Sequence, residues 1–162
     1  MEEPAALLAD EIGQAIARVD EHYDRLVLVV TSGSESSPEA LRALAREHNL
    51  QPINLNLALS RRLLDIPAPQ RPLVAFDQLR AIVDDAGPGG IFLFNTELLF
   101  DASLKLNPLQ SLRMLARHRA IVATWNGSLG GKALQYAVPG HPDFRRFSTE
   151  GITYVVIDPE TI

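Results

Sequence analysis

The chain has 162 residues, 46% of them hydrophobic and 22% charged, with 11 prolines, 10 glycines and no cysteine; that is the make-up of one globular domain, and it excludes a thiol nucleophile, a thiolate metal site and a disulfide. A formal net charge of −5 gives a global field that does not attract nucleic acid, and no apolar run approaches the roughly 20 residues of a membrane span. Met1-Glu2-Glu3-Pro4 lacks the basic-then-apolar plan of a secretion signal, so a cytoplasmic location is expected.

In chain order, Pro4 to Tyr23 reads as an amphipathic helix, with Leu8, Ile12, Ile16, Val19 and Tyr23 at helical spacing on one face. Leu26-Val27-Leu28-Val29-Val30 is an unbroken run of β-formers, the signature of a strand buried on both faces. The small polar loop Thr31–Ser37 follows, and Pro38 opens a helix to about His48 with Leu41, Leu44 and Ala45 inward. A short strand is expected over Pro52–Leu55, a helix over Leu57–Asp65, and a second helix over Arg71–Asp85 that buries Leu73, Phe76, Leu79, Ile82 and Val83. Gly87-Pro88-Gly89-Gly90 breaks the chain before a second buried strand, Ile91–Phe94. Pro108–His118 is helical, Ala120–Ala123 and Ile152–Ile157 are strands, and the stretches Trp125–Gly131 and Pro139–Pro142 read as turns. Buried strands alternating with helices imply parallel βαβ units, hence a three-layer α/β domain with a mostly parallel sheet flanked by helices. The expected organisation is one domain over 1–162, with an N-terminal helix in 1–24 and an α/β core over 26–157.

In such sheets ligands gather at the C-terminal ends of the strands. The first loop, with Gly33, Ser34, Ser36 and Ser37, has the setting of a phosphate-binding loop between strand and helix. Its chemistry is missing: there is no G-K-[ST], Glu35 places a negative charge where phosphate would sit, and Pro38 removes an amide donor. Gly127-Ser128-Leu129-Gly130-Gly131-Lys132 is a decoy, because its glycines are one residue too close and a β-forming segment follows; a hairpin is the expectation there. After the second strand come Asn95, Thr96 and Glu97. Glu97 is expected to favour a helix N-terminus, and Asn95 to bond neighbouring backbone. Asn126, after the strand that precedes it, occupies the place of a polar phosphate sensor. His141, Asp143, Arg145 and Arg146 cluster in a turn-rich stretch, and Arg61-Arg62 makes a second basic patch. No nucleophile with a partner is visible near His141 and Asp143, and His22, His48 and His118 lack metal-ligand spacing.

Five segments in order resemble one family. They are Asn54–Leu64, Asn95–Phe100, Asn107-Pro108-Leu109, Trp125-Asn126-Gly127 and Tyr136–Phe147, and together they resemble BrxF, the small P-loop-containing component of type three bacteriophage-exclusion (BREX) systems. The resemblance implies a P-loop NTPase-like fold and a role in antiviral defence beside a large ATPase, a methyltransferase and a PglZ-type protein. It also implies a nucleotide site that this chain has lost. The family's phosphate-binding lysine falls near Ser37, its Ser/Thr near Pro38, and the metal-holding aspartate at Phe94. The resulting expectation is a non-catalytic assembly or regulatory component with a degenerate P-loop and no catalytic residue, metal or cofactor. Arg61, Arg62, His141, Arg145 and Arg146 are its candidate partner-contacting residues. Two alternatives stand beside it. One is a nucleotide-binding protein or partner-completed ATPase using ATP and magnesium around Gly33 to Ser37 and Glu97. The other is a DNA-contacting subunit that meets phosphates through a local arginine patch.

Overall fold

The run Leu26–Val30 forms strand β1 with all five residues buried. An extended segment that is apolar on both faces requires cover on both, and the rest of the chain supplies it. The computed structural model describes residues 4–30, 38–125, 128–130, 133–136, 145–148 and 151–156. Around β1 the described helices are α1 (Pro4–Val19), α2 (Pro38–Glu47), α3 (Leu55–Leu63), α4 (Arg71–Asp85) and α5 (Pro108–Leu115). The strands are β2 (Gln51–Asn54), β3 (Ile91–Phe94), β4 (Ile121–Trp125), β5 (Ser128–Gly130), β6 (Ala133–Tyr136), β7 (Arg145–Ser148) and β8 (Thr153–Val156).

Five strands form the main sheet in the order β2-β3-β4-β1-β8, and every pairing in it is parallel. The side-chain alternation of each strand then divides the core in two. Val27, Val29, Phe92, Phe94, Val122 and Val155 pack with Ile12, Ala15, Leu41 and Leu44 of α1 and α2. Leu28, Val30, Ile91, Leu93, Ala123 and Trp125 pack on the other face with α3, α4 and α5. This is the three-layer α/β arrangement expected from the sequence, a mostly parallel sheet flanked by helices.

Several local expectations are corrected. Leu55 is helical rather than the end of a strand: Asn54 has extended backbone, and its side chain accepts from the Leu57 backbone N–H at 3.2 Å, which starts α3 two residues early. Helix α1 stops at Val19, where the His22 N–H closes a turn onto the Val19 carbonyl, so Tyr23 lies beyond the helix and is 76% exposed. On α4 the buried face is Ala75, Leu79, Ile82 and Val83; Leu73 is 79% exposed, because the inward positions run from Ala75 at steps of four, three and one. Phe76 is only partly buried and packs at the core's edge.

The turn-rich stretch after β4 contains a second, antiparallel sheet of order β5-β6-β7. Ser128–Gly130 pairs with Ala133–Gln135 as a hairpin, in agreement with the rejection of a phosphate loop there. Arg145 and Arg146 belong to a strand, not a turn, since β7 pairs with β6 from Tyr136↔Arg145 to Ala133↔Ser148. Trp125 ties the two sheets: it is fully buried, and its ring meets Phe100 and Phe147 edge-on at 4.9 and 5.3 Å. Such aromatic pairs add to the burial itself.

Trp125→Ala is therefore expected to cost about 3–5 kcal/mol of stability, measured by denaturant unfolding followed by circular dichroism. In the parent chain this sole tryptophan should emit at short wavelength and resist acrylamide quenching until the fold is lost.

Candidate functional site

All five main strands run the same way, so β1, β2, β3 and β4 end on one edge of the sheet. Asn54, Asn56, Asn95, Thr96, Glu97 and Thr124 gather at that edge. The chain leaves β3 at Asn95 with φ +53°, a left-handed conformation that asparagine tolerates better than most residues. That bend lets the Asn95 main-chain carbonyl accept from the Asn56 N–H at 2.9 Å.

Asn56 is the hub, and it was not singled out as a site residue from the sequence. Its side-chain oxygen accepts from the Leu98 N–H at 2.9 Å, while its side-chain nitrogen donates to the Glu97 carboxylate. One amide thus uses its acceptor and a donor to lock α3 to the tight helical turn Glu97–Phe100. The available signal was the Asn-Leu-Asn spacing at the start of α3, where the first Asn caps the helix and the second faces the neighbouring strand end. Behind this bridge the buried Thr96 hydroxyl donates to the Thr124 carbonyl at 2.7 Å, joining the ends of β3 and β4.

Phe94 is the position to which the sequence resemblance assigns a metal-holding aspartate. That side chain is 1% exposed, packed in the core between β3, α1 and α2. The Arg42 guanidinium of α2 lies over its ring, 5.4 Å from the centroid, a cation–π contact. Glu97, the carboxylate nearest this strand end in sequence, takes a proton donor from Asn56 and so serves as an acceptor within the turn. The edge is built of amides, hydroxyls and an aromatic ring. Among the described residues no group of three or more His, Asp or Glu is placed to hold a metal ion.

The remaining sequence candidates separate. Gly33, Ser34, Ser36, Ser37, Asn126 and His141 lie outside the described residues. Arg145 and Arg146 are placed as backbone of β7. Arg61 and Arg62 are neighbours on α3 with different roles: Arg62 forms an ion pair with Asp85 at the end of α4, whereas Arg61 is exposed. The exposed Leu57 and Leu64, 46% and 73% accessible, flank Arg61 at i−4 and i+3, so the three share the outer face of α3. The inner face carries Leu55, Leu59 and Leu63.

No family model matches the sequence, and no curated protein matches it. Among solved structures the chain is similar to PCH-2 from C. elegans, with a TM-score of 0.42 and 15% identity over 78% of this chain and 38% of that one. The chain thus spans well under half of that protein's length. A likeness at this level carries no argument here; the fold rests on the strand order and the layers described above. Among the described residues no helix is long and apolar enough to cross a membrane.

Two substitutions distinguish structural from chemical roles at the edge. Asn56→Ala removes the acceptor of the Leu98 N–H and one donor to the Glu97 carboxylate, an expected loss of about 1–3 kcal/mol. Glu97→Gln keeps an oxygen that accepts from Asn56, so a smaller loss is expected. Urea unfolding of both variants measures the difference.

Proposed function

We propose that this chain is a non-catalytic assembly component of a BREX-type phage-defence complex, a P-loop-like domain used for its surfaces. The observation that carries this reading is Phe94, buried in the core beneath Arg42 where the resembling family holds a metal-binding aspartate. Phosphoryl transfer depends on metal and cationic groups that neutralise charge developing on the phosphate oxygens. A phenylalanine supplies neither, and the first loop brings no lysine. The defence setting and its partners, a large ATPase, a methyltransferase and a PglZ-type protein, rest on the sequence resemblance. No resident cofactor is assigned.

The outer face of α3 supports an assembly role. Two exposed leucines around an arginine form an apolar stripe with a charge at its centre, a composition suited to binding anchors. Arg62 is neutralised within the chain by Asp85, which leaves Arg61 to set the charge of the partner. The face fits an apolar partner surface that presents a carboxylate opposite Arg61.

Two measurements test the reading. Calorimetry should show no magnesium-dependent gain in ATP affinity, and the chain alone should not hydrolyse ATP; a magnesium-dependent gain would restore the nucleotide site and overturn the proposal. Co-purification with the defence partners should fall sharply for Arg61→Glu and for Leu64→Asp while circular dichroism stays unchanged. Undiminished recovery of the partners with both variants removes α3 as the interface.

A further inference from the structure

At the opposite end of the sheet, where β4 begins, a cleft of about 260 Å³ opens between the C-terminal parts of α4 and α5. Its wall carries Arg80, Arg117, His118 and Arg119 with Asp84 as the one carboxylate, over a floor of Val83, Met114 and Leu115. Such a concentration of cations is unusual in a chain of net charge −5. The four basic side chains are not equivalent.

Arg119 is committed to the fold. Its Nη1 donates to the Val83 carbonyl at 3.1 Å and the Gly87 carbonyl at 2.7 Å, and its Nη2 lies 3.4 Å from Asp84. It thereby closes the C-terminal end of α4 and neutralises the carboxylate of the cleft. Arg80 and Arg117 are held differently. The Arg80 guanidinium lies over the Phe76 ring at 5.2 Å, and that of Arg117 over the Tyr23 ring at 5.3 Å. A ring beneath the guanidinium restrains a long side chain without using up its N–H donors. Among the described residues Arg80 makes no ion pair, and Arg117 makes a long one, 3.8 Å from its Nε to Asp24, whose other oxygen is bound by Arg113 at 3.1 Å.

We infer that this cleft is an anion site for a phosphate group, with Arg80 and Arg117 as its binding residues and His118 beside them. Two guanidinium groups on the wall of one cleft, Arg80 from α4 and Arg117 from the turn after α5, suit a tetrahedral oxyanion, which can accept from both; a planar carboxylate matches one fork. The cleft is smaller than the ~300–1,000 Å³ typical of sites for drug-sized ligands, so it fits a phosphate or pyrophosphate group rather than an entire nucleotide. The same chemistry belongs to a free phosphate compound and to one phosphate of a nucleic-acid backbone.

The test is calorimetric titration of the intact chain with pyrophosphate, and with citrate at equal ionic strength. Pyrophosphate should bind, and Arg80→Ala and Arg117→Ala should each weaken binding roughly tenfold or more. The double variant should lose it, while Arg61→Ala, on another face, keeps it. Unchanged circular dichroism confirms that the variants remain folded. Absence of pyrophosphate binding at millimolar concentration, retention by the double variant, or citrate binding as tightly as pyrophosphate would overturn the inference. A single-stranded DNA oligonucleotide that competes with pyrophosphate assigns the site to a nucleic-acid backbone; failure to compete assigns it to a free phosphate compound.

Discussion

The structure depends on one constraint: β1 is apolar on both faces and hydrogen-bonded on both edges. It pairs in parallel with β4 on one side and β8 on the other, and all five of its residues are buried. A parallel neighbour cannot be reached by a tight turn, so each pairing demands a crossover, and the crossovers here carry the helices that cover the two faces. From this follow the separation of the core into two halves, the placement of α1 and α2 opposite α3, α4 and α5, and the gathering of loops at one edge. The site and the sheet are products of the same packing requirement.

What occupies that edge is a set of groups committed to one another and to the core. A carboxylate at the end of β3 would need water, a metal or a cation to justify its burial. Phe94 instead contributes apolar area to the core and a ring face to Arg42. Next to it, the Asn56 side chain spans the gap between α3 and the turn after β3, meeting both the Leu98 N–H and the Glu97 carboxylate. Groups that in a nucleotide site would be turned towards a ligand are here satisfied by one another. That arrangement adds stability to the edge and reduces the number of donors and acceptors left for a substrate.

The legibility of the sequence follows the same physics. β1, β3 and α4 were readable because long, uninterrupted apolar patterns leave little choice of structure, and their residue ranges agree with the expectation. The start of α3 was not, because its position depends on a capping bond from Asn54 that competes with the β-preference of the preceding residues. The pairing of β5 with β6 was legible from the glycine-rich turn and the β-forming residues after it, whereas β7, four residues long, is too short for alternation to be recognised and acquires its structure by pairing with β6. Leu73 shows the limit of counting apolar positions, since the first turn of α4 extends past the core. The Asn-Leu-Asn spacing marks Asn56 as polar at the start of α3, but its partner lies 41 residues away, so the local pattern does not say what it binds.

The two ends of the sheet have opposite electrostatic characters, and the helices explain why. At the C-terminal ends of the strands, the edge between β2, β3 and β4 is closed by neutral amides and hydroxyls, with Glu97 held by Asn56. At the other end α4 and α5 finish, and helix C-termini favour cations; Arg119 serves that purpose directly by binding the Val83 and Gly87 carbonyls. Once Arg119 has compensated the end of α4 and paired with Asp84, Arg80 and Arg117 add charge that the helix end no longer requires. Their stacking on Phe76 and Tyr23 restrains long side chains that would otherwise lose substantial freedom on binding a ligand. A tidy helix cap needs one arginine; three in a single cleft give the surface a capacity that capping alone does not account for.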